Sequence, residues 1–313
     1  MMHHHITDQQ VLESADLRAV TDELVHAFGD LAGNKAATTV RLRATIGKTA
    51  ASGMAALYPR RNVGGGKIYV YSPTGRAFII AIFDTAGTLL ATFDGEAITA
   101  ERTAATTAVA VRRLAPAGAT IGALFGTGRQ AIWQAQALAQ EMSLQELRVV
   151  GRTVEKTQQL IDWCAANGIN ALATDPHTAV QDADVVVTVT GTYEPLFDGN
   201  WLKEGALVCG VGSTAEARRE LDATTVMRAT LVVSDSVEGA SIEAGDLIQT
   251  AHEGHFNFDR LVGLEDIVAD PQYHLPLEGI RLFESQGLAL EDLVGAWHVL
   301  HRLGLLKSGA RSQ

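Results

Sequence analysis

The chain has 313 residues, 47% of them hydrophobic and 19% charged, and a formal net charge of −11 at pH 7. That length is more than one core comfortably organises, so two domains are expected, and the acidic balance excludes the basic surface that a nucleic-acid partner needs. No stretch approaches the roughly 18 uninterrupted apolar residues of a membrane span, and Met1–Asp8 has no apolar signal core, so a cytoplasmic protein with no membrane partner is expected.

In chain order, the run His3-His4-His5 reads as an unstructured terminus or a tag remnant rather than a metal site. Val11, Leu12, Leu17, Val20, Leu24, Val25 and Phe28 then recur at helical spacing and predict one or two helices between Asp8 and Ala32. From Thr38 to Asp94 the texture changes to short alternating segments such as Lys67–Tyr71 and Ala77–Phe83, divided by glycines and a Ser-Pro-Thr-Gly turn. A small antiparallel sheet is expected there. Glu96–Leu114, rich in Ala and Thr, predicts a helix leading into a second domain.

Beyond it, strand candidates at Ile121–Phe125, Glu146–Val150, Ala171–Ala173, Val185–Val189, Leu207–Val211 and Leu231–Ser234 alternate with helical or loop segments. That rhythm predicts βαβ units and a parallel sheet covered on both faces. A last helix is expected over Leu288–Leu305. The fold class is therefore α/β, a doubly wound Rossmann sheet over residues 104–289 plus a smaller α+β domain formed by 1–103 with 290–313. Cys164 and Cys209 lie far apart without CxxC spacing and read as buried free thiols. His252, Glu253 and His255 fall short of HExxH, so no metal is expected. Asp184 reads as a strand-edge cap, Asp235 as a strand end, and Trp133 as helix packing.

The stretch Ile121–Ala139 is an apolar run that breaks at Gly126-Thr127-Gly128-Arg129-Gln130 and resumes as a helix. Gly126 permits the tight turn, Gly128 lets backbone approach a diphosphate, and Ala131 fills the third small position where strand and helix meet. The amides of the helix start then face the diphosphate. The next strand ends in Gly151-Arg152-Thr153-Val-Glu-Lys156 rather than in the acid that would accept hydrogen bonds from a free ribose 2′-hydroxyl. Arg152, Thr153 and Lys156 favour a 2′-phosphate, so NADP(H) is expected in preference to NAD(H).

The strings GTGRQA, VVGRTVEKT, DADVVVTVTGTYEPLF, VGSTAEARREL, LVVSDSVEGASIEAGDL and LFESQGLALEDL, with Arg43, the Gly-Gly-Gly-Lys67 segment and ITAERTAAT earlier, resemble the ornithine cyclodeaminase and mu-crystallin family in order and spacing. The resemblance implies a homodimer built through the smaller domain's sheet, and redox chemistry at the carbon that carries an amine or imine beside a carboxylate. It also implies that Lys67, Arg43 and Arg102 hold that carboxylate, with Arg41 able to share or exchange the role of Arg43. The nicotinamide is expected near Thr190, Val211 and Ser285. Where cyclodeaminases carry an Asp, this chain has Thr214, whose hydroxyl is neutral at any working pH. Cyclisation with ammonia loss is therefore demoted. The expected activity is reduction of an α-imino acid or the reverse dehydrogenation of the amino acid, with a cyclodeaminase or a non-catalytic binding protein for NADP(H) and a small ligand as alternatives. For a dicarboxylic substrate, Arg41, Arg60, Arg61 and Arg76 are candidate additional cations.

Overall fold

The computed structural model describes residues 4–276 and 278–306. The chain divides into two compact units, Met1–Ala105 with Gly287–Gln313, and Thr106–Gln286.

The first unit opens with β1 (His4–Ile6), α1 (Asp8–Ser14) and α2 (Leu17–Ala32). There follow β2 (Ala37–Thr38), β3 (Leu42–Ile46), β4 (Thr49–Tyr58), β5 (Val63–Ser72), β6 (Gly75–Asp84) and β7 (Leu89–Phe93), and then α3 (Glu96–Leu114), whose first ten residues belong to this unit. Helix starts follow the local chemistry: Thr7 and Gln10 form a capping box on α1, and the Asp16 carboxylate accepts from the Ala19 amide at the start of α2. The strands form one sheet in the order β1-β7-β6-β5-β4-β2, with β3 also on β4. It is antiparallel except for β1, which runs parallel to β7. That pairing corrects the expectation of an unstructured terminus for His4 and His5. The His5 ring bonds Asp94 at 2.9 Å and Thr92 at 3.1 Å, which supplies the polar contacts that fix the strand. His3 lies outside the described residues.

Alternation along these strands separates two faces. Met54, Tyr58, Val63, Ile80, Ile82, Ala91 and Phe93 are buried, as are Val20, Leu24, Ala27 and Phe28 of α2. The opposite face stays apolar and exposed: register aligns Leu42, Gly53, Ile68 and Ile79 in one row across β3, β4, β5 and β6, and Ala44, Ala51, Val70 and Ala77 in the next.

The second unit contains β8 (Ile121–Phe125), α4 (Ala131–Glu141), β9 (Glu146–Val150), α5 (Val154–Ala166), β10 (Ala171–Ala173), α6 (Pro176–Val180), β11 (Val185–Thr188) and β12 (Leu207–Gly210). It continues with α7 (Ala223–Arg228), β13 (Ala229–Ser234), α8 (Val237–Glu243), α9 (Gly245–His252), β14 (Leu261–Gly263), α10 (Leu264–Ala269) and β15 (Ile280–Glu284). All eight strands are parallel, in the order β10-β9-β8-β11-β12-β15-β13-β14. Strand order reverses between β8 and β11, the switch point where a doubly wound sheet opens a crevice at its carboxyl edge. The sheet is the expected Rossmann architecture, with two strands that the sequence reading did not place. β14 is short, and β15 carries Arg281 and Glu284 inside a buried run, which masks its apolar character. Arg281 is accommodated by donating to the carbonyls of Leu114 and Pro276. Glu284 is fully buried, and neither of its oxygens has a hydrogen-bond partner. The last helix, α11 (Ala289–Arg302), belongs to the first unit and packs on its sheet and on α2.

Glu101 of α3 is 1% exposed; one of its oxygens accepts from the Asp16 amide at 2.8 Å and the other has no partner. Burial pushes its carboxyl up to about 7 from an ordinary 4.5, the Asp16 amide pulling it down and the Asp16 charge pushing it up. The folded chain therefore binds this proton more tightly than the unfolded chain, and stability falls as pH rises from about 4.5 to about 7. Above that window the ionised group costs about 3 kcal/mol. Glu101→Gln is expected to raise the melting temperature by several degrees at pH 8 and to leave it nearly unchanged at pH 4, as thermal melts at the two pH values would show.

Candidate active site

Lys67 projects from the inner face of β5 and is 2% exposed. A lone buried ammonium is costly, so its partners define its role. Nζ donates to Asp292 at 2.9 Å and to Thr99 Oγ1 at 3.3 Å. Asp292 and Glu291 stand in the first turn of α11, where the helix dipole favours negative charge, and both are fully buried. Arg102, on α3, donates from Nε to Asp292 at 3.0 Å and from Nη1 to Glu291 at 2.5 Å. Two acids from one helix start thus hold a lysine from the sheet and an arginine from another helix.

Burial pushes the Lys67 amine down to about 8; Asp292 pulls it up, while the charges of Arg102 and Arg41 push it further down. At neutral pH it is a charged group that gives up its proton readily. Arg43, expected in this role, lies on the same sheet face, but it is exposed, opposite Ser52, and bonds Ser52 Oγ at 3.3 Å. Extending the β3–β4 register by one residue sets Arg41 beside Met54, whose partner on β5 is Lys67. Arg41 is the arginine of the two whose charge bears on Lys67. The other candidate cations are engaged elsewhere: Arg60 with Asp30, Arg61 with Glu23 and Arg76 with Glu96.

In the second unit, Gly126 takes φ +119°, and a Cβ there would lie 2.8 Å from the Val189 carbonyl, so only glycine lets the turns after β8 and β11 come together. Gly128 faces open space. Gln130, the N-cap of α4, makes no side-chain cap bond, and its Oε1 is buried without a partner. An uncapped helix start beside an open glycine and an orphaned polar atom fits a dinucleotide diphosphate. Arg129, Arg152, Thr153 and Lys156 are exposed, the last three at the start of α5.

Thr190 bonds Glu220 through both its amide and its hydroxyl, the Val211 amide donates to the Thr188 carbonyl, and Ser285 Oγ donates to Asp235 at 3.0 Å. Thr214 forms an isolated bridge with Ala244, and its amide donates to the Gly212 carbonyl. The Asp184 carboxylate accepts from the amides of Thr120 and Ile121, and Glu253 pairs with Arg219. Among the described residues no group of three His, Cys, Asp or Glu stands together as a metal site, and Cys164 and Cys209 are buried free thiols. The sequence reading missed Glu291 and Asp292, although the LALEDL string holds both. Glu220 lay inside the VGSTAEARREL string with no role assigned to it.

Residues 63–305 match the ornithine cyclodeaminase/mu-crystallin family. Over 226 residues the chain is 34% identical to the ketimine reductase mu-crystallin of Rattus norvegicus, covering 72% of this chain and 68% of that protein. Its structure is similar to that of a probable ornithine cyclodeaminase from Bordetella pertussis Tohama I, with a TM-score of 0.90, 32% identity and 97% of each chain covered. It is also similar to Thermococcus litoralis Δ1-pyrroline-2-carboxylate reductase in complex with NADH and L-proline, with a TM-score of 0.90, 25% identity and coverage of 96% and 97%. The chain belongs to the ornithine cyclodeaminase/mu-crystallin family.

Proposed function

We propose that the chain is an NAD(P)H-dependent oxidoreductase that reduces an α-imino acid to the amino acid. The observation that carries this reading is the buried Lys67 between Asp292, Arg102 and Arg41, a cationic group tuned to hold and release a proton. Arg41, Lys67 and Arg102 grip the substrate carboxylate, with Arg43 beside them, since a guanidinium can engage both carboxylate oxygens. The Lys67 ammonium keeps a proton at the imine nitrogen, which makes the adjacent carbon electron-poor. A reduced nicotinamide, when bound, supplies the hydride. Gly126, Thr127, Gly128, Arg129 and Gln130 would hold its diphosphate, and Thr190, Val211 and Ser285 its nicotinamide half. Thr214 offers no carboxylate to deprotonate a substrate amine, which favours reduction over cyclodeamination. Cyclic ketimines are the leading substrate class, supported by the similarity to the rat ketimine reductase and the Thermococcus Δ1-pyrroline-2-carboxylate reductase.

Arg152, Thr153 and Lys156 support NADPH over NADH, because exposed cations at a helix start suit a 2′-phosphate. The aliphatic rows on the outer sheet face support a homodimer: Leu42 is 72% exposed, Ile46 87% and Ile68 63%, and such a patch marks an association surface.

Lys67→Met is expected to lower turnover by roughly 100-fold or more while leaving the NADPH dissociation constant unchanged. In the wild type, kcat/KM for the imino acid is expected to fall as pH rises through about 8, where Lys67 loses its proton; a profile flat to pH 9.5 removes Lys67 from the chemistry. Arg152→Ala is expected to weaken NADPH by about tenfold and NADH little, measured by titration of each. Ile68→Asp is expected to convert a dimer to a monomer in size-exclusion chromatography.

A further inference from the structure

At the carboxyl edge of the parallel sheet one buried side chain joins two strand ends. Glu220, in the connection between β12 and α7, is fully buried. Its Oε1 accepts from the Thr190 amide at 2.5 Å and the Thr190 hydroxyl at 2.6 Å. Its Oε2 accepts from the Thr188 hydroxyl at 2.8 Å and the Gly212 amide at 2.7 Å. Thr188 ends β11, and Gly212 lies two residues beyond β12. The carboxylate therefore clasps the turns that follow two neighbouring strands.

The clasp is itself fixed from behind. Asp246, in the first turn of α9, accepts the amides of Glu220 and Leu221 at 2.7 and 2.9 Å. Space is as constrained as bonding: a Cβ on Gly212 would lie 2.5 Å from Glu220 Oε1 and would also strike the Thr190 carbonyl. On the other flank the Gly126 turn closes on Val189 and Thr190. The Thr190 peptide is thus wedged between two glycine turns, and Thr190 is tied to Glu220 through its amide and its hydroxyl. The two backbone amides can only donate, so an amide side chain in place of the carboxylate would turn a donor towards one of them.

A doubly wound sheet binds a dinucleotide through two mononucleotide halves. Gly126, Gly128 and Arg152 follow β8 and β9 and serve one half. Thr190 and Val211 follow β11 and β12 and serve the other. We propose that Glu220 is the positioning residue for the nicotinamide half: it presents the ends of β11 and β12 in one arrangement and takes no part in holding the adenosine half. This rests on the reading that the second unit binds NAD(P)H.

The test compares whole cofactors with their adenosine fragments by calorimetry, using NADPH with adenosine 2′,5′-bisphosphate and NADH with adenosine 5′-monophosphate. Glu220→Gln is expected to weaken whichever whole cofactor the wild type prefers by about tenfold or more, while its fragment binds as in the wild type. Whole-cofactor affinity within twofold of wild type overturns the proposal, as does equal weakening of cofactor and fragment, which would mark a merely structural role. Should Glu220→Gln not fold, Thr188→Val keeps the carboxylate and removes one of its four donors; it is expected to show the same split at a few-fold, and its absence is equally fatal. A wild type that binds neither cofactor sinks the reading of the second unit, and this assignment with it.

Discussion

The burial of one ammonium group governs the first unit. Lys67 cannot be charged inside the protein without a carboxylate, and the first turn of a helix is a favourable place for a buried one because the dipole there stabilises negative charge. Asp292 stands in such a turn and takes its bonds from Lys67 and Arg102. Since Asp292 and Glu291 also hold Arg102, strand β5 and helices α3 and α11 are registered by one set of charge-assisted bonds. Each partner is safe only while the others remain, because removing one leaves a buried charge uncompensated. The tension between desolvation and ion pairing also leaves the amine easy to deprotonate, a property suited to chemistry at a carbon–nitrogen double bond.

The second unit solves a related problem with acids. Turns at the carboxyl edge of a parallel sheet have amides that no strand neighbour satisfies. Here Asp184, Glu220, Asp235 and Asp246 each accept backbone amides from such segments or from strand starts. The edge is consequently rigid where a ligand's backbone contacts would fall. Glu284 is the exception, an acid in the centre of the sheet without a partner. Burial and the nearby acids Asp246, Glu220 and Asp235 push its carboxyl well above the usual range.

Much of this was legible in the sequence where the determining interactions are local. The GTGRQA turn and the alternation of β8 to β13 with helices involve residues within a few positions of one another. The features that escaped depend on distant partners. β15 hid because Arg281 and Glu284 interrupt its apolar run, and only a carbonyl of Leu114, far away in sequence, explains the arginine. β1 was unreadable without its partner β7. The choice between Arg41 and Arg43 turns on cross-strand register, which two similar residues two positions apart do not reveal. Asp292 lay inside a recognised motif, but its importance follows from Lys67, more than 200 residues earlier.

The position of β15 bears on how the molecule is made. It is the last strand among the described residues, yet it lies between β12 and β13. Until residue 284 leaves the ribosome, those two strands have no shared neighbour and their edges stand open. The first unit waits as well, because α11 must arrive before Lys67 and Arg102 find their acids. Neither half can therefore close before β15 and α11 have been made, and until then the nascent chain carries unpaired strand edges, the condition under which aggregation and chaperone capture compete with folding.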